Sequence, residues 1–203
     1  MNKGGSFNLF NLNPFSEVQK GINKLTKLAL KYKTNKTPQL GHSYIDFYYD
    51  MFSDKTGDVK KVLQIGLGDK EKNSLYFWQD FFPEAKVYGI GNNEKYVFKR
   101  NRIQTFLCGR TNSSGLKNLI DKIGSDIDLV IDEGIRSPND ITSSFQTIMP
   151  LLKKDAIYVI ENTDGQQATA ITDNLKNYNY NVIRHHKMIS RYDRLIVVKN
   201  KIA

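Results

Sequence analysis

What the chain has little of bounds it first. Its 203 residues contain a single cysteine, Cys108, so no internal disulfide can form and a reducing compartment is expected. In the run Phe106-Leu107-Cys108 that thiol reads as a small buried hydrophobe. No apolar run reaches the roughly 18 to 20 residues that cross a bilayer, and the N-terminal MNKGGSFNLFNLNPF lacks the continuous apolar stretch of a secretory signal. These absences predict an intracellular, cytoplasmic protein with no transmembrane segment. Acid is scarce too: Lys+Arg number 30 against Asp+Glu 21, a formal net charge of +9. Such a surplus favours an acidic partner, nucleic acid first. Lysine and asparagine are nevertheless plentiful everywhere, as in AT-rich genomes, and usage of that kind suits a large DNA virus, which adds a virion-associated location to the expectations. The length allows one domain with a full core.

What is there falls into three parts. Residues 1–15 are rich in Asn, Gly and Phe without a period and read as a flexible arm, with Phe7, Phe10 and Phe15 available to a protein partner. Residues 16–56 hold two helices. The first is expected to start at an N-cap, Ser16, and to bury Val18, Ile22, Leu25, Ala29 and Tyr32, while Lys20, Lys24, Lys27 and Lys31 form a stripe on the other side. The second carries Ile45, Tyr48, Tyr49 and Phe52. Residues 57–203 alternate short apolar runs with helical patterns, the signature of an α/β domain.

The stretch from Lys61 to Gly91 is the most informative part of that domain. Val62, Leu63 and Ile65 form a strand fit for burial on both faces, Gly66-Leu67-Gly68 turns the chain, Ser74 to Phe82 has a helical pattern, and Lys86 to Ile90 is strand-like again. This is a βαβ unit of the nucleotide-binding kind. Further strands are expected over 102–108, 127–132, 156–161, 181–188 and 194–199, and helices over 114–123, 138–152 and 166–176. The last two strands are joined by a short turn and must pair antiparallel. The fold class predicted is therefore α/β: a single Rossmann-like domain with a seven-stranded, mostly parallel sheet, an antiparallel last strand and two extra N-terminal helices.

Taken in order, the blocks KYKTNKTPQLGHSYIDFYYDMF, LQIGLGDKEKNSLYFWQDFFPEAKVYGIG, RIQTFLCGR, DLVIDEGIRSPNDITSSFQTIMPLLKKDAIYVIENT and RYDRLIVVKN resemble the class I S-adenosylmethionine-dependent methyltransferases, in particular the subgroup of macrocin-type sugar O-methyltransferases and cephalosporin hydroxylase-like proteins. The resemblance implies a cofactor pocket at Gln64, Gly66, Gly68, Gly91, Asn92, Gly109 and Arg110. It also shows departures. The family's Glu-Ile-Gly is Gln64-Ile65-Gly66 here, its Gly-Ile-Asp is Gly89-Ile90-Gly91, its Gly-Asp-Gln is Cys108-Gly109-Arg110, its Asp-Asp-Gly-Ser-His is Asp132-Glu133-Gly134-Ile135-Arg136, and its Glu-Asp-Thr is Glu161-Asn162-Thr163.

Each change removes or weakens a carboxylate where an open α/β sheet binds its ligand. Hydrogen bonds to a charged group contribute roughly 1.5 to 3 kcal/mol apiece. The expectation drawn from this loss is a pseudoenzyme: a methyltransferase fold without its cofactor, acting as a binding or assembly module for RNA or another acidic partner. Lys20, Lys24, Lys27, Lys31, Arg110 and Arg136 would be its basic surface. The alternative is an active, metal-assisted O-methyltransferase using S-adenosylmethionine, with His42 or Asp132 in catalysis and Asp132, Glu133 and Glu161 on a divalent cation. A structural component of a large particle is the third reading.

Overall fold

A computed structural model describes residues 23–36, 44–69, 71–133, 137–184 and 194–200. Eight strands form one sheet: β1 (Lys61–Ile65), β2 (Lys86–Gly91), β3 (Lys99–Arg100), β4 (Ile103–Leu107), β5 (Leu129–Asp132), β6 (Ile157–Thr163), β7 (Asn179–Arg184) and β8 (Arg194–Lys199). Their order is β3-β4-β2-β1-β5-β6-β8-β7. β4, β2, β1, β5 and β6 run parallel, and β8 lies antiparallel between β6 and β7. The predicted class and the antiparallel last strand hold. The strand count rises from seven to eight because Lys99–Arg100 hairpins onto β4, a two-residue exposed strand with no apolar signal in sequence.

Six helices cover the sheet: α1 (Lys24–Tyr32), α2 (Ile45–Phe52), α3 (Glu71–Phe81), α4 (Ser113–Ile123), α5 (Pro138–Ile148) and α6 (Gly165–Thr172). Strand alternation sorts the core into two layers. Val62, Val87, Leu129 and Val159 face α1, α2 and α3, where Tyr48, Trp78, Phe81 and Phe82 are fully or nearly fully buried. Leu63, Ile90, Val130 and Tyr158 face α4, α5 and α6. Every residue of β1 is buried, as a central parallel strand requires.

Local signals set the helix starts. Asn23 caps α1, its side chain accepting from the Thr26 amide at 2.7 Å. The helix expected from Ser16 therefore begins at Lys24, and Ser16 and Lys20 lie outside the described residues. Asn112 caps α4; Ser137 caps α5 with Pro138 in its first turn; Asp164 and Gln167 form a capping box on α6. Lys33 closes α1 in the left-handed conformation and turns the chain so that residues 34–36 run inward, Thr34 and Lys36 being fully buried. Among the described residues no helix is long and apolar enough to cross a membrane.

Candidate functional site

The carboxyl ends of β1, β2, β4 and β5 open onto a crevice of about 500 Å³, lined by Gly66, Leu67, Gly68, Glu71, Gly91, Asn92, Gly109, Arg110, Glu133 and Asp140 among others. This is the position where a doubly wound sheet takes its ligand, and the volume suits a small molecule. Gly66 makes the floor. Its φ is +96°, and a Cβ there would overlap the Glu133 carbonyl oxygen, so only glycine fits. At Gly109 the same test meets nothing within 4 Å. These positions form a cradle with backbone exposed toward the cavity, and they fit a ligand of the expected cofactor's kind.

The predicted pocket residues divide. Gly66, Gly68, Gly91, Asn92, Gly109 and Arg110 line the crevice. Gln64 does not: it is fully buried behind the floor, and its Nε2 donates to the Glu71 carbonyl at 3.0 Å. Gly91 lies against Leu67, whose Cβ would sit 2.9 Å from a Cβ at position 91. Acidic residues from other positions also reach the crevice. Glu71 at the start of α3, Asp140 in the first turn of α5 and Glu133 after β5 all line the cavity. Cys108 also lines it, buried, with burial pushing its thiol pKa up.

Arg110, expected on a basic surface, is buried instead. Its guanidinium donates to Asp132 Oδ1 at 2.6 Å and to the Glu133 carbonyl at 2.7 Å. The other Asp132 oxygen accepts from the Ser144 hydroxyl at 2.9 Å and the Tyr158 hydroxyl at 2.8 Å. Both oxygens of Asp132, the residue expected in catalysis and on a cation, thus already accept from protein donors. Of the lysine stripe, Lys24 and Lys27 are exposed, and Lys31 pairs with Asp80 on α3 at 2.9 Å. His42 and Arg136, like Lys20, lie outside the described residues.

A second charge cluster adjoins the crevice, and it was not legible in the sequence. Lys36 is fully buried, and its Nζ donates to Glu133 Oε1 at 2.5 Å and to Glu161 Oε2 at 2.6 Å. The Tyr48 hydroxyl donates to Glu161 Oε1 at 2.6 Å. Burial alone would lower the Lys36 pKa, but the two carboxylates hold it above the usual lysine value. Burial lifts Glu133 to about 8, against the opposing pull of Lys36. The remaining oxygen, Glu133 Oε2, is buried without a protein partner. The three carboxylates expected to share a cation are thus divided between two clusters, and no metal-holding group of three or more His, Cys, Asp or Glu exists among the described residues.

Comparison with solved structures identifies the fold. The chain superposes on the MycE methyltransferase of the mycinamycin biosynthetic pathway, in complex with Mg, SAH and mycinamycin VI, with a TM-score of 0.73 and 22% identity, over 88% of this chain and 55% of that one. The chain therefore has the α/β fold of that methyltransferase. In sequence it is similar to the 8-demethyl-8-alpha-L-rhamnosyl tetracenomycin-C 2'-O-methyltransferase of Streptomyces olivaceus, 29% identical over 143 residues, or 68% of this chain and 37% of the relative. It is also similar to the mycinamicin VI 2''-O-methyltransferase of Micromonospora griseorubida, 29% identical over 143 residues, with 68% and 35% coverage. The demethylmacrocin O-methyltransferase of Streptomyces fradiae is 28% identical over 143 residues, with 68% and 36% coverage. The chain spans little more than a third of the length of these relatives. No protein-family model matches it.

These relatives correct the expectation of a pseudoenzyme module: each is a named O-methyltransferase, and the active alternative is the reading they favour. The physical reason for the error is in the crevice. The departures at positions 64, 91 and 109 do not describe the whole crevice, which Glu71, Asp140 and Glu133 also line. The cofactor expectation, S-adenosylmethionine if the chain is active and otherwise none, with a divalent cation possible, is consistent in its first case with the MycE structure, which holds SAH and Mg.

Proposed function

We propose that this chain binds S-adenosylmethionine in the crevice and serves O-methyl transfer to a hydroxyl acceptor. A sugar hydroxyl is the acceptor class that the relatives' names support. The observation that carries the reading is the crevice itself: a glycine floor at the carboxyl ends of parallel strands, about 500 Å³ in volume, rimmed by Glu71, Glu133 and Asp140. The cofactor, when bound, supplies a methyl group on a cationic sulfur. The protein's share is position and field. Gly66 and Gly68 let the backbone approach the ligand closely. Glu71 and Asp140 offer acceptor oxygens for ammonium or hydroxyl donors, and the open space at Gly109 leaves room beside the strand ends. Arg110, clamped to Asp132 and to the Glu133 carbonyl, keeps the end of β5 in place beneath the cavity.

Calorimetric titration with S-adenosylmethionine and S-adenosylhomocysteine tests this. Micromolar binding of both is expected, corresponding to about 8 kcal/mol. Absence of heat, together with an unchanged melting temperature at millimolar ligand, would refute it.

A further inference from the structure

We infer that the Lys36 ammonium is the resident cation of the Glu133–Glu161 pair and occupies the place where a divalent metal ion would have to bind. The inference rests on the methyltransferase reading only for its consequence, that cofactor binding in this chain needs no metal.

The ligand inventory comes first. Asp132, Glu133 and Glu161 together have six carboxylate oxygens, of which five are already claimed. Asp132 is taken by Arg110, Ser144 and Tyr158; Glu161 by Lys36 and Tyr48; Glu133 Oε1 by Lys36. Only Glu133 Oε2 is without a partner. A hard divalent cation takes about six oxygen ligands at roughly 2.0 to 2.6 Å, several of them water, but it needs one or two carboxylates bound directly, and here the Glu133–Glu161 pair is already bridged by an ammonium.

The ammonium is also held by a built site rather than a chance contact. It is fully buried, bridges two buried carboxylates at 2.5 and 2.6 Å, and lies 5.4 Å from the centroid of the Trp78 ring, whose face attracts cations. Tyr48 packs edge-on against that ring at 4.8 Å while it donates to Glu161, so the same side chains fix both the acid and the aromatic wall. The chain that delivers Lys36 is fixed as well: the Thr34 amide donates to the Ala29 carbonyl, and the Tyr44 amide donates to the Lys36 carbonyl.

Charge balance points the same way. Two cations, Lys36 and Arg110, face three carboxylates, Asp132, Glu133 and Glu161. With all of them ionised the residual charge is a single negative, which one cationic sulfonium in the crevice would neutralise. A dication added beside Lys36 would overshoot it and be repelled by the ammonium at close range.

Manganese(II), followed by the electron paramagnetic resonance of the free ion, is the probe, and the titration needs no cofactor, so it can fail or succeed independently of the calorimetry above. The wild-type chain is expected to leave the signal unchanged. Lys36→Ala, which vacates the space between the two carboxylates, is expected to bind Mn²⁺ at least about a hundredfold more tightly, as removal of a like charge a few ångströms away implies. Glu161→Gln in that background should abolish the gain. Wild-type protein that takes up Mn²⁺ and loses it on Glu161→Gln overturns the inference, and so does a folded Lys36→Ala chain that ignores the ion. Should Lys36→Ala not fold, the wild-type and Glu161→Gln titrations decide alone.

Discussion

Leu67 occupies the space that a side chain on Gly91 would need: a Cβ at position 91 would lie 2.9 Å from Leu67 Cβ. Leu67 is itself 8% exposed and packs on the β1–β2 floor. Gly91→Asp, which introduces the acid that the family resemblance implies there, is therefore expected to displace Leu67. Overpacking of this kind costs about 1 to 3 kcal/mol. Gly109→Asp meets open space and is expected to leave stability unchanged within about 0.5 kcal/mol. Urea unfolding of the two variants checks the ordering. Equal stability would mean that Leu67 moves aside freely.

How much of this was legible before the structure depends on the range of the interaction. Val62 to Ile65, Gly66 and the helical pattern ending at Phe82 announce a βαβ unit because strand burial, a glycine turn and helix periodicity are local properties. The same locality gave the antiparallel β7–β8 pair. The Lys36 cluster was hidden because its partners are 97 and 125 residues away and no local pattern marks them. Glu71 and Asp140 stand in the first turns of α3 and α5, a sufficient local reason for an acid, and only the way those helices meet the strand ends makes them part of the crevice.

Gln64 makes a second prediction. Its amide nitrogen donates to the Glu71 carbonyl, so the loop from Gly66 to Glu71 is held from below by a donor that a carboxylate lacks. Gln64→Glu, again the acid that the family resemblance implies, is expected to weaken the fold by about 1 to 3 kcal/mol by leaving a buried acceptor opposed to another acceptor. Chemical denaturation measures it. Cofactor affinity should fall with it, because Gly68 and Glu71, the first residue of α3, both line the crevice above Gln64. A stabilised or tighter-binding Gln64→Glu would show that the loop re-forms around the acid.

Glu133 sets a pH dependence whose sign can be worked out. Burial raises its pKa from the ordinary 4.5 to about 8 against the pull of Lys36, so its ionised fraction in the folded chain still changes as pH passes through that value. The groups around it are Lys36 and Glu161 on its Oε1 side and Glu71 across the crevice. A cationic sulfonium favours the ionised form and the neutral thioether product does not. The ratio of S-adenosylmethionine to S-adenosylhomocysteine affinity is therefore expected to rise as pH passes through about 8, by about tenfold if the sulfonium shifts this group by one pKa unit. The amino group common to both ligands cancels in the ratio. In the absence of ligand the same shift acts on stability in the opposite direction. A carboxyl with a raised folded-state pKa stabilises fully below its unfolded value and loses that contribution as pH climbs from about 4.5 to about 8. Calorimetry between pH 6.5 and 9 and urea midpoints between pH 4 and 9, each compared with Glu133→Gln, read the two effects. A wild-type affinity ratio as flat as that of Glu133→Gln would mean that the sulfonium does not bind within reach of this carboxylate.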